Sequence, residues 1–358
     1  MKKLTMLIPA HNEEDKIEET LESIFKQTRP ADKIVIICDN CTDKTEEVLE
    51  KYKNETFEVI KTVENKGKKA GALNQYFRNN EIEGYVLVMD ADTLLDENCI
   101  FEGLKKIESD EAYGAVCSRA GILKYNKSEK INLLEDFVWH LQHIEYGQFD
   151  AHRVETDGRI KVVHGMAAIF KVEVLKYVIE YRKERFGVET GVYLENNLVE
   201  DYELTLCVKH KWKVSVAIEM LAWTKVPLGV KELYVQRLRW LRGGVDTVRF
   251  HGFDKVTAQD FLNDILFVFV MLQRLIVFIA MIVFIYLFRS YQVSKLVILV
   301  TFYTYVDSFY RLKYTQKRGA KDYIVKLLFI PEVLYGLFQV AVMIQSFIYS
   351  FFNVEQEW

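Results

Sequence analysis

The chain has 358 residues, enough for more than one domain, and a net charge of −4 at neutral pH. That balance carries no global basic signature and excludes nucleic acid from the expected partners. Five cysteines, together with an opening MKKLTMLIPAHNEE in which no signal peptide is expected, point to reduced thiols in the cytoplasm.

In chain order, Leu4–Ile8 is a short apolar run of buried-strand type, and Asn12–Gln27 has helical periodicity through Ile17, Leu21, Ile24 and Phe25. Ile34–Cys38 reads as a second strand, Thr45–Tyr52 as helix and Phe57–Lys61 as a third strand. Lys68–Arg78 reads as helix and Tyr85–Met89 as a fourth strand. Strands alternating with helices predict βαβ units and a parallel sheet. Ligands of such sheets bind beyond the carboxyl ends of the strands. The polar clusters HNEE, DNCTD and DADT fall at those ends, after strands one, two and four.

Each cluster has its own chemistry. Asp90 and Asp92 form a D-x-D, and two carboxylates two residues apart on a strand-end loop can converge on Mg2+ or Mn2+ with positions left for phosphate oxygens. Asp39 leaves the second strand where a nucleoside can lie, whereas Asp43 suits a cap for the helix near Thr45. In ENKGKKAGALN, a lysine beside Gly67 and Gly71 can reach a diphosphate, or simply begin an exposed basic helix. The pair Glu200 and Asp201 in LVEDYELT reads either as a solvated helix start or as the source of a general base. Cys38 and Cys41 form a C-x-x-C without a second Cys/His pair, and are taken as packing and turn thiols. His140 and His143 in WHLQH have a metal-like spacing without a third ligand, and read as one helix face near the acceptor.

From Phe261 to Phe352 the chain is mostly apolar and aromatic. Three segments are expected to insert in a membrane: one within Phe261–Phe288, one within Val293–Tyr310 and one within Tyr323–Phe352. Asp264 and Arg274 suggest that the first begins along the interface, and the second carries Asp307. Pro331 and Glu332 suggest that the third is broken into an interfacial piece and a span. The loop Arg311–Lys321 is strongly basic and Arg289–Lys295 less so, which places the N-terminal domain and the basic loop in the cytoplasm. Just before this region stands VQRLRW, whose arginines are either a lipid collar or a site for an anionic, sugar-bearing ligand.

Taken in order, IPAHNEE, DNCTD, KGKKAGALN, DAD, VEDYELT and VQRLRW resemble the family 2 glycosyltransferases over about residues 4–245. The resemblance is to the membrane-bound branch that includes cellulose, chitin, hyaluronan and poly-N-acetylglucosamine synthases. It implies an α/β, Rossmann-like GT-A domain over residues 1–250, followed by transmembrane or interfacial helices over 251–358. It also implies an inverting transfer of sugar from a nucleotide-sugar, a UDP-sugar by expectation, to a hydroxyl of a glycan or lipid-linked acceptor. The setting it implies is a multi-pass protein of the cell membrane with its catalytic domain cytoplasmic and lipid as a partner. By this resemblance Pro9, Ala10, Asn12 and Glu13 line the nucleoside pocket, and Asp39 reads the base. Lys68 and Gly71 lie near the nucleotide, Asp90 contacts the donor and Asp92 holds the Mg2+ or Mn2+. Asp201 is the base, Gln236, Arg239 and Trp240 lie over the diphosphate and acceptor end, and Gly165 and Glu200 belong to the acceptor side. That reading favours the diphosphate for the arginines of VQRLRW, with Arg237 and Arg242 left as lipid collar. The first strand begins at about Leu4, where the polymer synthases carry helices, so single-sugar transfer to a lipid or short glycan stands beside processive synthesis. An inactive membrane scaffold or nucleotide-sugar sensor is the alternative from another class.

Overall fold

The computed structural model describes residues 2–125, 130–288, 295–328 and 330–355. The chain forms two compact units: Met1–Tyr125 with His152–Lys225, and Asn126–Ala151 with Val226–Trp358. The sequence suggested a single cut at 250/251. The second unit takes in Asn126–Ala151 and everything from Val226 onward.

In the first unit, β1 (Leu4–Ala10), β2 (Lys33–Cys38), β3 (Phe57–Lys61) and β4 (Tyr85–Val88) are joined through α1 (Ile17–Phe25), α2 (Thr45–Glu50) and α3 (Lys68–Asn79). Then come β5 (Leu94–Leu95), α4 (Cys99–Glu108) and β6 (Tyr113–Ile122). The helix α5 (Leu133–Glu155) lies mostly in the second unit, and β7 (Ala168–Lys171), α6 (Val172–Phe186), α7 (Glu200–Lys209) and β8 (Lys213–Thr224) complete the first. The eight strands form one sheet in the order β3-β2-β1-β4-β7-β6-β8-β5. β1 pairs in parallel with β2 and β4, and β2 with β3, as the alternating pattern predicts. The all-parallel expectation fails beyond β4: β7 runs antiparallel to both β4 and β6, so the sheet is mixed. Central strands are buried throughout, as in the run Val35, Ile36 and Ile37, and a core of Leu7, Val35, Val86 and Val88 packs against Leu73 of α3, Val174 of α6 and Leu204 of α7.

The expected helix from Asn12 begins only at Ile17. Asn12 sits at φ 55°, and its Oδ1 accepts the backbone N–H of Thr42 at 2.8 Å. That side chain staples the two strand-end loops together, so the polar cluster is held as loop. It also leaves Ile17, Leu21 and Ile24 to the buried face of α1.

In the second unit, α8 (Val230–His251) is followed by α9 (Lys255–Phe288), α10 (Lys295–Arg311), a 3-10 turn (Leu312–Tyr314), α11 (Ala320–Leu327) and α12 (Ile330–Phe351). The break expected in the third apolar segment is present, with Pro331 in the first turn of α12, where its missing N–H costs nothing. Among the described residues one helix, α12, is long and apolar enough to cross a membrane. The less basic loop Arg289–Lys295 falls, up to Ser294, outside the described residues, as does Val293 at the start of the second apolar segment.

Candidate functional site

The loops after β1, β2 and β4 open on one edge of the first unit's sheet. Pro9 and Ala10 close β1, and Ala10 O accepts the N–H of Asp39 at 2.8 Å. Asp39 is buried. Its Oδ1 accepts from Asn65 Nδ2 at 2.7 Å, Thr62 Oγ1 at 2.8 Å and Asn40 Nδ2 at 3.1 Å. Asn65 is in turn held by Gly67 N–H at 2.9 Å. A Cβ on Gly71 would stand 2.0 Å from Asn65 Oδ1, so glycine is required there for Asn65 to reach Asp39. Sequence reasoning named Gly71 but missed Asn65; the signal was an amide one residue ahead of the K-G-K-K turn.

A few residues along, carboxylates gather. Asp90 follows β4, and its N–H donates to Gly165 O at 3.1 Å. Lys69 Nζ donates to Asp90 Oδ1 at 2.5 Å and lies 3.5 Å from Glu200 Oε1. Lys69 therefore makes the carboxylate contact, while Lys68 is exposed at φ 50° at the helix start. Burial works to lower the Lys69 pKa, but Asp90, Glu200 and Asp201 together raise it, so the ammonium is held charged. Asp92 is pushed up, by burial first and then by the Asp90 charge, and Lys16 at 3.9 Å is a weak counterweight. Lys16 also meets Glu13 at 3.3 Å, whose carboxyl is raised by burial against the pull of that lysine.

Glu200 and Asp201 open α7. Burial, then the neighbouring Glu200 charge, push Asp201 up to about 6, against the pull of Lys69. The helix start is fixed from behind. Arg182 of α6, fully buried, pairs with Glu203 and donates to the carbonyls of Gly191 and Val192, each at 2.9 Å. Asn74 of α3 donates to Tyr193 O at 2.8 Å and accepts Tyr193 N–H at 2.9 Å. Lys69, Gly165, Tyr193, Glu200 and Asp201 line one small cavity. Tyr193 was not among the expected site residues, and Lys69 was left between reaching a diphosphate and starting an exposed helix; contacts from different elements assemble both at this cavity.

Asp90 and Asp92 are hard oxygen donors two residues apart after β4, and Asp92, with Lys16 3.9 Å away, keeps carboxylate oxygens for a divalent ion. Gly165 leaves space beside them: a Cβ there would meet both Asp90 carboxylate oxygens at 3.4 Å and Lys69 Nζ at 2.5 Å. Cys38, by contrast, has its thiol pushed up to about 12 by burial, which suits packing.

Gln236, Arg239 and Trp240 lie on α8, in the second unit. Arg239 is exposed. The expectation that Arg237 and Arg242 form a lipid collar is overturned by their burial. Arg237 is 2% exposed, with Nη2 2.6 Å from Glu145 Oε2, Nη1 2.6 Å from Gln236 Oε1 and its guanidinium 4.5 Å from the Trp240 ring centre. Arg242 is also buried and pairs with Asp246 at 3.3 Å. A helix that carries arginines at 237, 239 and 242 turns two of them inward, so residue type alone could not tell them apart.

The sheet with its covering helices and strand-end carboxylates defines a Rossmann-like α/β domain of GT-A type. Residues 5–179 match the sequence profile of Glycosyl transferase family 2. It is 28% identical over 245 residues to a poly-beta-1,6-N-acetyl-D-glucosamine synthase of Staphylococcus epidermidis, covering 67% of this chain and 54% of the relative. With the synthase of the same name from Staphylococcus aureus it is 27% identical over 266 residues, 72% of this chain and 58% of the relative. The chain thus spans little more than half the length of these relatives. Its fold is similar to that of a mannosyltransferase from Pyrobaculum calidifontis solved with GDP-Man and Mn2+, with a TM-score of 0.57 and 16% identity over 99% of this chain and 88% of the other.

Proposed function

We propose that the chain is an inverting glycosyltransferase that moves a sugar from a UDP-sugar to a hydroxyl of a glycan or lipid-linked acceptor, with Asp201 as the general base. The observation that carries this reading is the Asp201 carboxyl, raised to about 6 at a helix start beside the Lys69–Asp90 pair. A base with that pKa is ionised at neutral pH and still basic enough to share a proton in the transition state. The names of the relatives make N-acetylglucosamine the first sugar to test.

In this mechanism Asp39, with three donors already on Oδ1, offers its second oxygen to a base N–H. Pro9, Ala10, Asn12 and Glu13 line the nucleoside side, and Lys68 and Gly71 flank the nucleotide. Asp90 orients the donor. Asp92, with Asp90, would hold Mg2+ or Mn2+, which when bound supplies charge neutralisation on the departing diphosphate. Asp201 takes the proton from the acceptor hydroxyl. The freed oxygen forms the new bond at the anomeric carbon, and the old bond breaks with its electron pair leaving on the nucleoside diphosphate. Attack from the opposite face inverts the centre. Gly165 and Glu200 sit on the acceptor side, and Gln236, Arg239 and Trp240 are assigned to the diphosphate and the acceptor end.

The same proposal places the second unit at a membrane. Leu262, Phe269, Ile276 and Tyr286 of α9 and Leu334, Phe347 and Phe351 of α12 are exposed, more apolar surface than a water-facing helix pair carries. The basic Arg311–Lys321 loop then faces the cytoplasm, with the catalytic domain on that side. The test is a panel of UDP-sugars offered to membranes that carry the full chain. UDP release with one sugar, abolished by a chelator and accompanied by a product of added sugar mass, is the expected result. Release that ignores the chelator sinks the metal role, and no release with any donor sinks the enzyme.

A further inference from the structure

We propose that the second unit holds a divalent transition-metal ion of the zinc class between His140, His143 and Asp322, separate from the carboxylates of the first unit. The three residues are buried, and their ligand atoms lie within 4.8 Å of one another. The two histidines stand one turn apart on α5, and Asp322 comes from the first turn of α11. Asp322 Oδ1 is 2.6 Å from His140 Nδ1 and 3.1 Å from His143 Nδ1. Its Oδ2 accepts the Gly319 N–H at 2.7 Å, which fixes the carboxylate in place.

The hydrogen-bond bookkeeping is what asks for a cation. His143 Nε2 lies 2.7 Å from Gln316 O, a carbonyl that only accepts, so Nε2 carries the proton. A neutral His143 then turns a bare Nδ1 lone pair toward a carboxylate oxygen. Two acceptors at that distance repel unless a cation lies between them. His140 has the complementary problem. If Nδ1–H donates to Asp322, then Nε2 is a bare acceptor, buried and without a hydrogen-bond partner, 3.6 Å from the Asp136 carboxylate. One ion bound by both Nδ1 atoms and Asp322 resolves both. His140 shifts its proton to Nε2, where Asp136 can accept it, and His143 keeps its Nε2 proton on Gln316 O.

That is the arrangement metal-bound histidines adopt: one nitrogen on the ion, the other donating to a carboxylate or carbonyl. Two imidazoles and one carboxylate suit Zn2+, with water as a fourth ligand. Ligand atoms around a tetrahedral ion with bonds of about 2.0 Å stand about 3.3 Å apart. Asp322 Oδ1 therefore has to move away from His140 Nδ1 by about 0.7 Å and from His143 Nδ1 by about 0.2 Å. The ion would tie α5 to a segment about 180 residues later in the chain, closing a long loop.

The test uses the full chain in detergent, carrying Asp90→Ala and Asp92→Ala so that metal at the first site is removed. After chelation and dialysis it is titrated with ZnCl2, and bound zinc and the melting midpoint are measured. The expected result is one Zn2+ per chain, a saturable rise in the midpoint and loss of both in His143→Gln. Asp136→Asn keeps all three ligands, removes the carboxylate that faces His140 Nε2 and weakens its 3.1 Å pair with Lys321; it should weaken binding by about 10- to 100-fold, which serves if His143→Gln does not fold. Failure to bind zinc overturns the proposal and leaves a second proton on His143 as the bridging cation. Binding that neither substitution changes overturns it too.

Discussion

Lys69 donates to Asp90 at 2.5 Å, and this contact ties the first turn of α3 to the D-x-D turn after β4. The same ammonium is the cation whose pull holds the Asp201 pKa down. Lys69→Met keeps the length and removes the charge. The Asp201 pKa should then rise by about one unit, because an opposite charge at close range favours the ionised form. The acidic limb of the UDP-release profile should move up with it. A limb that stays in place would detach Lys69 from the base.

The unmodified chain gives the sign of the pH dependence. Asp201 must be ionised to accept a proton, so activity is full above about 6 and falls about tenfold per unit below it. Asp201→Asn should slow transfer by about two to four orders of magnitude with donor affinity kept. Stability runs the other way. The group is raised from its ordinary 3.8 to about 6, so its contribution is complete below 3.8 and lost as pH rises through 6. At neutral pH the Asn variant should therefore melt higher than the parent, a rise to be read by thermal unfolding at pH 4 and pH 7. A variant that melts lower at both would mean that Asp201 is structural.

Asp92→Ala should abolish metal-dependent UDP release, with partial rescue by excess Mn2+. Full activity in the presence of a chelator would rule out the ion. Calorimetric titration with Mn2+ gives a readout that needs no turnover.

Gly71→Ala tests the link from backbone to base recognition. The added Cβ would stand 2.0 Å from Asn65 Oδ1, so Asn65 must move off Asp39. Overpacking of this kind costs about 1–3 kcal/mol. KM for the donor should rise several-fold while kcat changes little, since the base lies on α7. An unchanged KM would separate Asp39 from the donor.

Much of the sheet was legible because β1, β2 and β4 are buried on both faces and read as nearly unbroken apolar runs such as KIVIIC. The polar residues at their ends were legible for the same reason. The reversal at β7 was not, since AIFK carries nothing that distinguishes a parallel from an antiparallel neighbour. Lys69 and Lys68 stand side by side in the sequence, and only the start of α3 decides which one turns inward. Asp322 lies about 180 residues from His140, beyond the reach of any spacing argument, so the histidines read as two ligands without a third.

Arg237 and Arg239 make the sharpest pair of substitutions, because they share a residue type and an environment in sequence but not in space. Arg237 is buried against Glu145, whose Oε2 also accepts from Tyr335 Oη at 2.7 Å and whose Oε1 accepts from Gln339 Nε2 at 2.7 Å. Removing the guanidinium leaves a largely shielded carboxylate, 11% exposed, with two neutral donors in place of its cation. Breaking a buried pair in this way costs about 3–5 kcal/mol. Arg237→Ala should therefore lower the melting midpoint, and its activity should fall through loss of folded protein. Arg239 is exposed, and substitution at such a position changes stability by about 0.5 kcal/mol or less. If Arg239 meets the diphosphate, Arg239→Ala should melt like the parent yet lose donor affinity and turnover together. Purifying both variants in detergent and measuring melting, UDP-sugar affinity and UDP release separates the two roles. Normal UDP release by Arg239→Ala would return that arginine to the surface of α8 and leave Gln236 and Trp240 to be tested for the diphosphate in its place.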